Sequence, residues 1–342
     1  MRIRNIYYCL FFSVLFFIAC NSHQNNVAKG QYNLAGYQLL KNWPQLPDNF
    51  SLGNPTGIGI DTNQHIFIFH RADRTWPLTG SMPDTFISSK TILMLDRESG
   101  KILSSWGNNL FIMPHGLTVD KNNNIWVTDV GLHQVFKFSH DGKLLLAIGE
   151  AKIPGNDQSH FNRPTDVAVT KDGSFYVSDG YGNSRVVKFS STGQYLFEWG
   201  KKGDKESEFN LPHAIDLDYK ENVYVADREN NRIQVFTPTG EFIKQWTNEN
   251  FGKISSVAFD KEKNNFVAID FFTSWFGLKH NGSEIILFDS SGNFINKFGK
   301  NYLAPDGIKC WYHDITVDDQ GNIYVTDILQ NRIQKFKKIS GN

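Results

Sequence analysis

Gly116-Leu-Thr-Val-Asp120, Asp166-Val-Ala-Val-Thr170, Ala214-Ile-Asp-Leu-Asp218 and Asp314-Ile-Thr-Val-Asp318 are versions of one short strand. Gly57-Ile-Gly-Ile-Asp61 and Ser256-Val-Ala-Phe-Asp260 complete a set of six. A turn such as Lys121-Asn-Asn-Asn124 or Asp319-Gln-Gly-Asn322 follows, and then a second strand. That strand is Ile125-Trp-Val-Thr-Asp129 in one copy, with Tyr176-Val-Ser-Asp179, Tyr224-Val-Ala-Asp227 and Tyr324-Val-Thr-Asp327 as its equivalents. A third strand (Gln134 to Phe138, Arg232 to Phe236, Arg332 to Phe336) leads through a glycine turn to a fourth that ends in an aromatic, as in Phe242-Ile-Lys-Gln-Trp246. A repeat of this kind decides the architecture before any single residue does, because each unit can bury its apolar faces only against its neighbours.

Alternating apolar residues with Asn-Gly or Asp-Gly type turns mark four-stranded antiparallel blades, and the pattern resembles the NHL repeat. Six copies predict an all-β chain folded as a six-bladed β-propeller. The last copy stops after its third strand, near Lys337, while Tyr37-Gln-Leu-Leu-Lys-Asn-Trp43 looks like a displaced fourth. The N-terminal segment is therefore expected to close the ring as the outer strand of the last blade, which removes an open sheet edge. Residues 72–90 and 271–283 are insertions between second and third strands, and both belong on one face.

Lys plus Arg equals Asp plus Glu at 35 each, so the chain lacks the basic surface of a nucleic-acid binder. Arg2 and Arg4 precede an apolar run from Ile6 to Ala19, the layout of an export signal. The Phe17-Ile-Ala-Cys20 ending resembles a bacterial lipobox, with Phe17 in place of the usual leucine. This predicts a lipoprotein signal over 1–20, lipidation at Cys20, a flexible tether over 21–32 and the propeller over 33–342. It also predicts a monomer anchored to the cell envelope through lipid alone. Of three cysteines, Cys9 leaves with the signal and Cys20 carries lipid, so Cys310 has no disulfide partner.

In a propeller the first strand of each blade lines the central channel. Five residues before the end of that strand, blades one to six carry Thr56, His115, Thr165, His213, Ser255 and His313. Histidine thus occupies alternate blades. Equivalent positions in a six-fold ring are about 60° apart, so three imidazoles converge at about 120° with a coordination position left open, as in catalytic zinc sites. The other histidines (His23, His65, His133, His140, His160, His280) show no such relation and are read as surface or loop residues. Cys310 stands three before His313, without a second cysteine to support a metal role. The second strand ends on the same face, where Arg71 follows His70, Gly180-Tyr181 follows Asp179 and Arg228 follows Asp227. Two guanidinium groups and a phenol beside a metal suit a substrate with a carboxylate and an ionisable hydroxyl. Asp129, Asp179, Asp227 and Asp327 are read as structural, and Asp120, Asp218 and Asp318 as turn formers.

These residues also carry a family resemblance. Asn109 to Asp120, Trp126 to Phe138, Arg163 to Val169, Ser178-Asp-Gly-Tyr-Gly-Asn-Ser-Arg185, Pro212-His213 and Ala226 to Gln234 closely resemble peptidyl-α-hydroxyglycine α-amidating lyase, and the similarity runs from about Pro55 to Phe336. The resemblance implies a zinc-dependent propeller lyase that cleaves the N–C bond of a C-terminal α-hydroxyglycine, giving an amide and glyoxylate. It implies zinc on His115, His213 and His313, a base role for Tyr181, and substrate or charge roles for Arg71 and Arg228. It also implies a structural calcium held by the Asp314 carboxylate and the carbonyls of Ile58 and Leu117. The family's two disulfides are replaced, one by Asn162 and Gly182 and the other by Tyr224 and Val235, and its Met-Pro-His becomes Trp311-Tyr312-His313. Two further readings stay open at this point: a non-enzymatic NHL binding module, and a calcium-dependent hydrolase of the lactonase kind.

Overall fold

The computed structural model describes residues 36–77, 81–247, 251–274, 279–298 and 305–339. The expected signal peptide, Cys20 and the tether lie outside these residues. Six four-stranded antiparallel sheets are present. Their inner strands are Pro55–Ile60, Pro114–Val119, Asp166–Val169, Pro212–Leu217, Lys253–Asp260 and Tyr312–Val317. Five sheets run in chain order, and the sixth takes its outer strand from the start of the chain. Tyr37–Leu39 pairs antiparallel with Arg332–Lys338, with Tyr37 opposite Lys338 and Leu39 opposite Phe336. The predicted closing strand is shorter than Tyr37–Trp43 because the chain turns after Leu40. Trp43 then inserts between the last and first blades, edge-on to Tyr324, with its indole N–H on the Arg97 carbonyl at 3.0 Å.

The core is divided among the blade interfaces. One hydrophobic cluster lies between each pair of neighbours, including the pair that joins the last blade to the first. Second strands are sandwiched on both faces, so Ile125–Asp129, Phe175–Asp179 and Val223–Asp227 are buried at every position. Outer strands alternate, as in Phe242–Thr247. Trp126 shows what a wedge residue contributes: it is fully buried, packs on Phe175 at 4.4 Å between ring centres, and bonds Asp120 Oδ2 through its indole N–H at 2.9 Å. Truncating such a side chain costs about 3–5 kcal/mol.

The aspartates that end the second strands fix the approach to the inner ones. Asp129 is buried and accepts amide N–H groups from Ile112, Met113, Gly131 and Leu132 at 2.7–3.0 Å. Ile112 and Met113 lead directly into His115, so this carboxylate sets the path of the chain into the channel. Asp179, Asp227 and Asp327 add a guanidinium from Arg185, Arg232 and Arg332. In blade five the expected insertion is largely an extension of its hairpin, Asn265–Ser274 pairing with Lys279–Phe288. The two residue pairs expected to stand in for disulfides are neighbours in space: Tyr224 faces Val235 across adjacent strands, and the Gly182 amide bonds the Asn162 carbonyl at 2.9 Å.

Candidate metal centre and its rim

His115, His213 and His313 meet on the propeller axis. One ring nitrogen of each lies within 4.8 Å of those of the other two. Ring centres are 4.7–5.1 Å apart and successive planes are tilted by 69–71°, a near three-fold pinwheel. All three are buried, with exposures of 1%, 2% and 7%.

Each imidazole is aimed by the following blade. His115 Nδ1 donates to the Thr165 carbonyl, His213 Nδ1 to the Ser255 carbonyl and His313 Nδ1 to the Thr56 carbonyl, each at 2.7 Å. A carbonyl can only accept, so the Nδ1 proton is fixed and the Nε2 lone pair is left free. Burial pushes the His115 basicity well below the usual range, and the neighbouring His313 and Arg71 add to it. Burial likewise lowers His213, with Arg228 adding to it, and brings His313 down to about 3. Three neutral imidazoles with convergent lone pairs are the donor set a divalent transition metal requires. The adjoining void, bounded below by Asp166 and Asp314, is about 10 Å³, room for one atom-sized guest.

Glycine makes this approach possible. A Cβ on Gly116 would lie 2.5 Å from the Thr165 carbonyl oxygen that aims His115. A Cβ on Gly180 would lie 2.0 Å from the Pro212 carbonyl, just before Tyr181 turns toward the ring.

The rim is asymmetric. Tyr181 Oη lies 3.1 Å from Nε2 of both His115 and His213, and Arg228 Nη1 donates to it at 3.4 Å. Arg228 is also paired with Glu229 at 3.1 Å and stacks near Phe271. Arg71 is buried, and its Nε donates to the Pro114 carbonyl at 3.0 Å. No carboxylate pairs with it among the described residues. Burial pushes its guanidinium down to about 10, partly offset by Tyr181 and Asp129. A buried cation with unclaimed donors beside a metal-type site is suited to an anionic group.

The ring and rim residues named from the sequence therefore come together in one place. Trp76 was missed. It lies in the first blade's insertion, packs against Tyr181 with ring centres 4.8 Å apart and planes tilted by 35°, and carries Arg71 5.3 Å over its ring. Its only sequence signal was an aromatic residue inside an inserted segment on the active face. Cys310 does not join the ring: its thiol donates to the Ser283 carbonyl at 3.5 Å, and burial pushes it up to about 12. His133 Nδ1 accepts from the Arg163 amide of the next blade at 3.0 Å, and His160 pairs locally with Asp157. His65 and His140 are not isolated surface residues, since they converge on Asp61. Sequence alignment of the repeats could not pair them because His140 belongs to a different blade.

Below the ring, Ile58, Leu117, Asp166, Asp216 and Asp314 line a cavity of about 460 Å³. The Asp314 carboxylate accepts from Ile58 N at 2.9 Å, Ser256 Oγ at 2.7 Å and Ile315 N at 2.9 Å. Burial holds its carboxyl up at about 7, and burial followed by the Asp314 charge holds Asp166 well above the carboxylate range.

An NHL repeat model matches residues 111–138, 161–189 and 209–236, in blades two to four. Peptidyl-glycine alpha-amidating monooxygenase B of Xenopus laevis is 36% identical over 314 residues, covering 86% of this chain and 35% of that protein. Peptidyl-alpha-hydroxyglycine alpha-amidating lyase 1 of Drosophila melanogaster is 35% identical over 328 residues, covering 88% of this chain and 59% of that protein. The chain thus spans about a third of the first relative and under two thirds of the second. Among solved structures, a streptogramin B lyase superposes with a TM-score of 0.55 at 16% identity, covering 89% of this chain and 98% of that one.

Proposed function

We propose a metal-dependent carbon–nitrogen lyase activity for this chain, which carries NHL repeats and is homologous over most of its length to the peptidyl-α-hydroxyglycine α-amidating lyases. The substrate is an N-acyl-α-hydroxyglycine, a peptide for preference, and the products are the amide and glyoxylate. One observation carries the reading: three tautomer-locked imidazoles share a pocket with a phenol oxygen 3.1 Å from two of them and with two arginines.

His115, His213 and His313 would hold zinc, which when bound supplies Lewis acidity toward the substrate's hydroxyl oxygen. Arg71, with its unclaimed donors, binds the substrate carboxylate and orients the hydroxylated carbon toward Tyr181. Tyr181, acting as its phenolate, takes the hydroxyl proton at Oη. The freed electron pair forms the carbonyl of glyoxylate while the C–N bond breaks. Its electrons go to the amide nitrogen, which receives the proton that Tyr181 has accepted. Arg228 holds the phenol oxygen in place through its 3.4 Å contact. Trp76 covers Tyr181 and limits the entry of water.

A structural calcium is proposed at Asp314 with the carbonyl oxygens of Ile58 and Leu117. Its support is a cavity lined by Asp166, Asp216 and Asp314, in which burial holds Asp314 and Asp166 above the usual carboxylate range, with the Asp216 charge adding to it at Asp314 and the Asp314 charge at Asp166, a cost that a hard cation offsets. Export with lipid attached at Cys20 is proposed on the N-terminal sequence alone.

The test is metal analysis together with glyoxylate release from an N-acyl-α-hydroxyglycine. Tyr181→Phe is expected to lower turnover by about 10²–10⁴-fold with metal content unchanged. Wild-type turnover retained in that variant would remove Tyr181 from the chemistry, and metal-loaded protein without glyoxylate release would remove the lyase reading.

A further inference from the structure

Asp61 closes the inner strand of blade one, at the position held by Asp120, Asp218 and Asp318 in blades two, four and six. In those three blades one carboxylate oxygen takes two bonds from its own blade. Asp120 Oδ2 accepts from Asn124 Nδ2 and Trp126 Nε1, both at 2.9 Å. Asp218 Oδ2 accepts from Asn222 Nδ2 at 2.8 Å and Tyr224 Oη at 3.2 Å, and Asp318 Oδ2 from Asn322 Nδ2 at 2.8 Å and Tyr324 Oη at 2.9 Å. Blade one keeps the carboxylate but replaces both donors: His65 stands where the asparagine would be, and Phe67 where the polar aromatic would be.

Two imidazoles now meet that oxygen. His65 Nδ1 and His140 Nε2 each lie 2.8 Å from Asp61 Oδ2. His140 comes from blade two, in the tight turn closed by Gly142 N on the Ser139 carbonyl at 2.9 Å. That turn is pressed onto blade one: a Cβ on Gly142, whose φ is +89°, would lie 2.7 Å from the Trp106 ring. Phe67 sets the orientation of His140 by an edge contact at 5.2 Å and 74°. The other carboxylate oxygen is held by the His65 amide at 2.7 Å.

An asparagine amide N–H can only donate, whereas an imidazole nitrogen can present a lone pair to a cation. The three ligand atoms lie within 4.8 Å of one another. The Asp61 side chain is fully buried and the imidazoles are 29% and 36% exposed, so solvent reaches the open side. Neither lysine nor arginine pairs with Asp61 among the described residues. We propose that Asp61, His65 and His140 form a second site for a divalent transition-metal ion, cross-linking blades one and two. Two imidazoles and a carboxylate are a competent zinc donor set, with water completing the shell. The site lies at the far end of the inner strands from the three-histidine ring, roughly 16 Å away at about 3.3 Å per residue.

The experiment uses the full chain, stripped with chelator, kept in excess calcium and titrated with Zn²⁺ alone, with bound zinc counted by elemental analysis after dialysis. His213→Ala removes the ring from the count, so the result does not depend on the lyase reading. In that background one zinc equivalent is expected to remain, and to disappear when His140→Ala is added. His65→Asn restores the residue of the sister blades, which guards against misfolding, and is expected to remove the same equivalent. His140→Ala alone is expected to leave glyoxylate turnover unchanged. If His213→Ala and its His140→Ala double variant retain the same zinc, the cluster is a hydrogen-bonded clamp between blades and the proposal is overturned.

Discussion

The blades with a histidine at the ring position and the blades with a hydroxyl residue there use the same strand in opposite ways. In blades two, four and six the side chain turns to the axis and presents a nitrogen. In blades three, five and one the backbone carbonyl does the work of orientation, accepting the Nδ1 proton of the preceding blade's histidine at 2.7 Å. The Thr165 hydroxyl lies within hydrogen-bond distance of the Ser178 and Pro212 carbonyls, at 2.9 and 2.8 Å. A six-fold scaffold thereby yields a three-fold site: half the blades supply ligands and the other half supply their aim. The lesson is that a hydroxyl residue aligned with a ligand need not be a ligand, and that its contribution can be one its side chain does not carry.

This division can be broken at three points. The largest effect is expected from His213→Ala, which removes a ligand nitrogen: bound metal should fall by one equivalent in elemental analysis, and glyoxylate release should fall to background. Gly116→Ala should be intermediate, because its Cβ would meet the Thr165 carbonyl at 2.5 Å and displace the group that aims His115. Loss of such outer-shell support lowers metal affinity by about 10–100-fold, measurable by chelator competition, with circular dichroism to confirm the fold. Thr165→Ala should do least. It removes buried hydroxyl bonds worth roughly 1 kcal/mol of stability but keeps the carbonyl, so metal affinity should hold within a factor of two or so. A Thr165→Ala variant as metal-poor as His213→Ala would end the distinction between ligand blades and aiming blades.

What the sequence made legible was whatever obeys the repeat. The histidine ring, the strand-ending aspartates and the borrowed closing strand all occupy aligned positions, and alignment alone brings them together. Contacts between unlike positions of neighbouring blades were invisible. His140 sits in an outer turn and Asp61 at the end of an inner strand, so no register relates them; only the folded wedge of blade two against blade one does. Trp76 was hidden for a related reason, since an insertion has no counterpart in the other blades to be compared with. The closing strand was foreseen but drawn too long, because Trp43 is claimed by a core position between blades rather than by the sheet edge.

The borrowed strand has a consequence for the order in which the molecule comes apart. Tyr37–Leu39 belongs to the last blade, yet the next inner strand in the chain belongs to the first, so the ring has a seam between its ends. His313 stands on one side of that seam and the carbonyl that aims it, Thr56, on the other. An ion held by the three imidazoles would therefore act as a clasp across the place where a closed ring first opens. Its occupancy would govern how fast the propeller unlatches, a kinetic property distinct from equilibrium stability.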